Sequence, residues 1–262
     1  MKKLLASCLL ITCAIYIVTA QQLSQTNPTG PENTSMNFIK VNLTSLLVKN
    51  YSVQYERVLS RSVSAAISFR IMPETGLPYK NQIINMADIT EPDEKDIIEN
   101  LLMSNYAITP EVRYYFGRKK YGNGLYLSLF YQYGSYNFNN IVFDVEYEEG
   151  DGPTMDASAD IKSHTGGLLF GSQWSLGKYV CLDWWILGPH FGVSSGNAVA
   201  LSSYQLDLEE QQDFRDEVND ALVDADIPML DYTISTSSDQ IELDFDGPWG
   251  GIRFGLSLGV RF

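Results

Sequence analysis

From Phe38 onward the chain alternates apolar and polar residues in runs of about ten, the period of a strand and not of a helix. Eight such runs are present, at 38–46, 51–58, 62–71, 108–116, 125–136, 165–176, 179–191 and 250–262. In the second, Tyr51, Val53 and Tyr55 oppose Ser52, Gln54 and Glu56. The last is the cleanest: Ile252, Phe254, Leu256, Leu258, Val260 and Phe262 share one face, and Gly251, Arg253, Gly255, Ser257, Gly259 and Arg261 share the other. The pattern predicts an antiparallel all-β protein. It does not by itself say which face is inside, because a soluble sandwich and a membrane barrel alternate alike with opposite sense.

The connections break the tie. The links at 59–61, 117–124 and 177–178 are short, whereas 73–108, 139–160 and 197–246 are long. Only the link between the first two runs departs from this alternation, being short as well. Outer-membrane barrels have short periplasmic turns and long outer loops. Charge sorts the same way. The three long links hold 28 of the 32 acidic residues, as seven, seven and fourteen, and only three basic ones, Lys80, Lys95 and Arg215. The short turns are basic, with Arg57, Arg61, Arg118, Lys119, Lys120 and Lys178. One end of the molecule is therefore acidic and the other basic.

The apolar faces of the runs carry few charges, as a lipid-facing surface requires, since Arg or Lys at mid-bilayer costs about 2–4 kcal/mol. The polar faces carry Lys40, Glu56, Arg70, Glu111, Arg113, Asp183, Arg253 and Arg261. Eight strands enclose only enough room for side chains. The expectation is a plugged lumen crossed by structural ion pairs, with Glu56, Glu111 and Asp183 facing Arg113 and Arg253.

Two long links carry helical spacing. A helix is expected from a Thr90 cap through Leu102, with Asp93 completing a weak capping box. A second is expected over 206–223, where Phe214, Val218 and Leu222 recur every fourth residue among acids. Such acidic helices are unsuited to an anionic lipid surface and are expected to pack over the mouth or on each other.

Composition narrows the class. The chain has 262 residues, 45% hydrophobic and 19% charged, with a net charge of -14. That balance argues against nucleic acid, whose binders neutralise phosphates with basic patches. Mean hydropathy is -0.11, and after residue 20 no apolar run approaches the length of a membrane helix. At the start, Lys2 and Lys3 precede an apolar stretch to Val18, and Val18-Thr19-Ala20 before Gln21 reads as a signal-peptidase site. The organisation expected is a signal peptide at 1–20, a flexible segment at 21–35 and an eight-stranded transmembrane barrel at 36–262 in a bacterial outer membrane. Cys8 and Cys13 leave with the signal, so Cys181 has no disulfide partner in the mature chain.

Catalytic motifs are sparse. There is no phosphate-binding Gly loop, HExxH or nucleophile elbow. Asp144, Glu146 and Glu148 alternate without EF-hand spacing, yet so many carboxylates would repel lipid phosphates. Divalent cations bridging the loops to each other or to lipid are one expectation there, against a plain solvated surface. The two histidines, His164 and His190, fall near the outer ends of neighbouring strands with Asp160, Ser163 and Ser194 nearby. They give the alternative to a structural or interaction barrel, an outer-leaflet lipid hydrolase.

Three stretches carry a resemblance: 108–116 (ITPEVRYYF), 182–192 (LDWWILGPHFG) and 247–253 (GPWGGIR). They resemble an uncharacterised outer-membrane barrel family of Bacteroidota, classed as a domain of unknown function. The resemblance implies the fold and the compartment and supplies no activity or cofactor. The final run also looks like the signal read by the barrel-assembly machinery: Phe262 is terminal, with Val260, Leu258, Leu256 and Phe254 alternating behind it. Expected partners are outer-membrane lipid, that machinery, and a surface or envelope protein facing the acidic loops.

Overall fold

The computed structural model describes residues 36–116, 121–147 and 150–262. The expected signal peptide, the 21–35 segment and the basic turn residues Arg118, Lys119 and Lys120 lie outside the described residues.

The fold is all-β, a ring of antiparallel strands. The strands are β1 (Asn37–Asn42), β2 (Tyr51–Val58), β3 (Val63–Gly76), β4 (Leu102–Tyr115), β5 (Gly124–Tyr147), β6 (Gly150–Leu176), β7 (Val180–Ser202), β8 (Asp231–Thr236) and β9 (Gln240–Arg261). The helices are α1 (Leu43–Leu46), α2 (Lys80–Met86), α3 (Pro92–Asn100) and α4 (Leu208–Asp224). Each of β1 to β6 pairs with its successor in sequence, β7 pairs with β9, and β9 closes the ring on β1. The closure runs from Phe38 opposite Arg261 to Asn42 opposite Ser257. Mutual bonds between Asn37 and Phe262, at 2.9 and 3.1 Å, fasten its end. β8 lies outside the ring and pairs only with the outer part of β9.

The wall is inside-out relative to a soluble sheet. Tyr51, Val53 and Tyr55 of β2 point outward, 56%, 49% and 39% exposed, while Ser52, Gln54 and Glu56 are buried within the ring. The same sense holds along the chain: Ile67 and Phe69 outward against Ser64 and Ser68, Leu127 and Leu129 outward against Ser128, Trp184 outward against Asp183. The outward apolar band ends at a defined level. Beyond Tyr106, Tyr131, Tyr133 and Phe191 the outward positions become Asn137, Lys162, Asp160 and Ser195. At that boundary the rings of Tyr106, Tyr133 and His164 stand 6.0 and 5.2 Å apart in succession.

Several expectations are corrected here. The sheet has nine strands, because the 197–246 link contains β8. The long links are not mainly loops. β5 and β6 run on to Tyr147 and back from Gly150, so 139–160 is a hairpin of their extensions. β7 and β9 extend likewise to Ser202 and from Gln240. The extensions of β6 and β7 are mostly small or polar and give little hydrophobic period, while those of β5 and β9 carry apolar positions such as Phe143, Ile241 and Leu243 among acids. The antiparallel pairing continues through all four, with register shifts at 138–141 and 144–146. The irregular link is explained too: 43–50 lies at the long-link end, reduced to the single turn of α1 because β1 and β2 are short.

The extensions have a core of their own. Met155, Leu206, Phe214, Ile234 and Ile241 are buried together, with Val218 and Leu222 of α4 packed against them. The expected spacing by four in this helix is thus its buried face. Its start is set by Asp207, whose carboxylate accepts from the Glu209 and Glu210 amides while Glu210 answers to the Asp207 amide, a full capping box. The other expected helix starts later than Thr90. Glu91 is its N-cap without a side-chain bond, and Pro92 takes the first turn, where its missing N–H is not needed. α2 was not anticipated. We call this outer part, with its helices and exposed acids such as Asp213, Asp216, Glu217 and Asp220, the acidic crown.

Candidate functional site

The interior of the ring is layered. Nearest the short turns, Phe38, Val58 and Cys181 form a small apolar floor. Arg261 lies over the Phe38 ring at 5.3 Å.

Above the floor sits a charged layer whose ionic side chains come from five strands. Lys40 Nζ donates to Glu56 Oε2 at 2.5 Å, Gln173 Oε1 at 2.6 Å and Asp183 Oδ2 at 2.7 Å. Arg113 donates through Nη1 to Asp183 at 2.6 Å and Glu56 at 3.2 Å, through Nη2 to Gln54 at 2.9 Å, and through Nε to Glu111. Arg253 reaches the other oxygen of Glu111 at 3.3 Å. Neutral donors complete the carboxylates: Tyr115 and Ser64 to Glu56 at 2.6 and 2.5 Å, Tyr126 to Asp183 at 2.8 Å, Trp185 Nε1 to Asp183 at 3.2 Å. Side chains of Lys40, Glu56, Glu111, Arg113 and Asp183 have no solvent exposure. Three cations face three carboxylates, so the layer is neutral overall. Aromatic faces back it, with Arg113 over Tyr126 at 4.5 Å and Arg253 between Phe130 and Trp185 at 4.4 and 4.7 Å. Gly171 makes room for the Tyr126 hydroxyl, against which a Cβ would collide.

The structure brings together all five residues assigned to the network from sequence: Glu56, Glu111, Arg113, Asp183 and Arg253. It adds Lys40, Gln54 and Gln173. Lys40 stands on the polar face of a six-residue strand, and its partners come from β2, β6 and β7. The alternation around it was the available signal, but the partners are too distant in sequence to be paired by pattern.

Beyond Arg253 the lumen widens into a cavity of about 330 Å³. Trp185, His190 and Arg253 line its inner side, Thr109, Gln132 and Ser68 its walls, and Arg70, Tyr136 and Trp249 its outer side. Tyr136 of β5 and Trp249 of β9 are on non-adjacent strands, yet their rings stand 5.2 Å apart, so they span the lumen. Arg70 Nη2 donates to the Tyr136 hydroxyl at 3.4 Å. Sequence reasoning put Arg70 on the lumen face but did not group it with Trp249, whose only signal was its Gly-Pro-Trp-Gly-Gly setting.

The geometry above belongs to a chain that one family model matches, over residues 9–194; the family is described as Protein of unknown function (DUF3575). The chain belongs to that family. No curated protein matches it. The DUF3575 match takes in every charged residue of the lumen layer except Arg253, and it stops within β7, before α4, β8 and β9.

The remaining candidates are placed as follows. Phe254, Leu258, Val260 and Phe262 point outward along the end of β9, with Leu256 half-buried on the same side. Asp144 Oδ1 accepts from the Thr154 hydroxyl at 2.6 Å. Glu148 lies outside the described residues, as does the side chain of Glu146. Among the described residues no three His, Cys, Asp or Glu side chains stand close enough to hold a metal ion. His164 faces outward with Nδ1 2.5 Å from the Tyr131 hydroxyl, whereas His190 faces the lumen. The two histidines are therefore on opposite sides of the wall and do not combine into one site.

Proposed function

We propose that the chain is a non-enzymatic outer-membrane barrel, with β1 to β7 and β9 as eight transmembrane strands around a plugged lumen. The observation that carries this reading is the inverted wall: apolar side chains outward over one continuous band, and a neutral, buried ion-pair layer within. Along β4 and the residue that follows it the band runs from Tyr106 to Phe116. Eleven residues at about 3.3 Å each, tilted as barrel strands are, span about 25 Å, the height of a barrel's lipid-facing band. Tyr and His rings at its outer edge suit an interfacial girdle.

On this reading the basic turns face the periplasm and the crown faces outward. A crown rich in exposed carboxylates is suited to a basic partner surface, with divalent cations as the alternative counter-charge. A hydrolase that combined His190 with His164 is disfavoured by their opposite orientations; one built on either alone is the alternative to this reading. Outer-membrane fractionation with a gel shift between unheated and boiled samples tests the barrel, and planar-bilayer recording tests the plug. A heat-modifiable band in the outer-membrane fraction with flat current traces is expected. Recovery in a soluble fraction, or stepwise conductance from the purified protein, would overturn the corresponding part.

A further inference from the structure

The ring is not paired along its whole height. On the side away from β7, β9 pairs with β1 through 257–261 and with β8 through 241–246. Between them, residues 247–256 have a strand partner only in β7. The facing link does not fill this stretch. Lys49 and Asn50 bond to Thr75 and Met72 on β3, and Thr44 of α1 reaches β9 only at the Leu256 amide, at 2.9 Å. Gly255, at φ 154, lets the Asn42 side chain press against β9 just there. A seam is left between α1 and the 247–254 edge of β9. The cavity meets this seam: its lining includes Thr44 and Ser45 on one side and Ile252 and Phe254 on the other. Ile252 and Phe254 are 61% and 65% exposed on the outer wall.

The cavity is cationic in an acidic protein. Its charged lining consists of Arg70 and Arg253, with His190 and no carboxylate. Arg253 is balanced by Glu111 within the neutral layer, but Arg70 makes no ion pair among the described residues. Arg70 Nε and His190 Nδ1 are buried without a hydrogen-bond partner among the described residues. Buried polar atoms of this kind favour a ligand that supplies acceptors.

We propose that this cavity binds the anionic head group, phosphate or carboxylate, of an amphiphile that reaches it sideways between α1 and β9. Arg70 supplies the uncompensated charge, His190 and Arg253 further donors, and the tail lies along Ile252 and Phe254. That the amphiphile comes from the outer leaflet rests on the outer-membrane reading; the binding itself does not.

The test is calorimetric titration of dodecyl phosphate into the full chain folded in dodecyl maltoside, beside inorganic phosphate as the tail-less probe. Arg70→Gln and Arg70→Lys alter the site, and Arg57→Gln, exposed at the short-turn end, is the control. Saturation near one per chain is expected, at least tenfold weaker in Arg70→Gln, restored in large part by Arg70→Lys and unchanged in Arg57→Gln. Inorganic phosphate should bind at least tenfold more weakly than dodecyl phosphate. Equal uptake by wild type and Arg70→Gln would mean micelle partitioning and overturn the site. Inorganic phosphate binding as tightly as dodecyl phosphate would overturn the amphiphile in favour of a free anion. Because these titrations are in detergent, a barrel that fractionates with the outer membrane but binds nothing defeats the pocket alone, and a soluble protein that binds defeats the location alone.

Discussion

At the scale of single residues, the lumen layer is where a change has most consequence. Arg113 alone touches three carboxylates, and Lys40 two. Removing either cation leaves buried carboxylates uncompensated, a loss of about 3–5 kcal/mol. Arg113→Met and Lys40→Met should therefore lower the urea midpoint of the folded, heat-modifiable form in detergent. Arg57→Gln, on the exposed rim, should stay within about 0.5 kcal/mol of wild type. Gly171→Val should cost about 1–3 kcal/mol by driving a side chain into Tyr126, read in the same titration. The network's five named members were legible because strict alternation put each charge on the polar face. Lys40 was on that face too, but nothing in the local pattern shows that Glu56, Gln173 and Asp183 converge on it.

At the scale of elements, the ring strands were legible wherever one face is apolar and the other polar, since that sets a strong period of two. The extensions of β5, β6, β7 and β9 were not: those of β6 and β7 are mostly small or polar, and the apolar positions of the other two, such as Phe143, Ile241 and Leu243, fall inside acid-rich links and meet the crown's own core. β8 was missed for its length of six residues and its edge position. The α4 face was readable because Phe214, Val218 and Leu222 meet a core there. The box that starts this helix supports its first turn, so Asp207→Ala should weaken it by about 1 kcal/mol. Amide hydrogen exchange should show faster exchange in the first turn of α4, with the ring strands unchanged. At the other end of the fold, closure depends on β1 meeting the end of β9 and on the bonds between Asn37 and Phe262. Truncation before Leu258 removes most of that register. It should cut the heat-modifiable fraction in the outer membrane several-fold, and the chain should accumulate unfolded in the periplasm.

At the scale of the whole molecule, sequence and fold agree on one asymmetry. The links that hold 28 of 32 acids all lie at one end of the ring, and the short turns lie at the other. The fold alters the meaning of that sorting. The described acids stand on a folded crown with its own hydrophobic core, so they present a fixed charged surface. A fixed surface suits recognition, and its attraction to a basic partner should weaken as salt rises. The direction in which the crown faces therefore decides what it can meet. Protease shaving of intact cells, with mass spectrometry of the released peptides, tests this most directly. Peptides from 73–108, 139–160 and 197–246 released without permeabilisation are the predicted result. Release of those peptides only after the outer membrane is permeabilised would contradict it and turn the crown toward the periplasm.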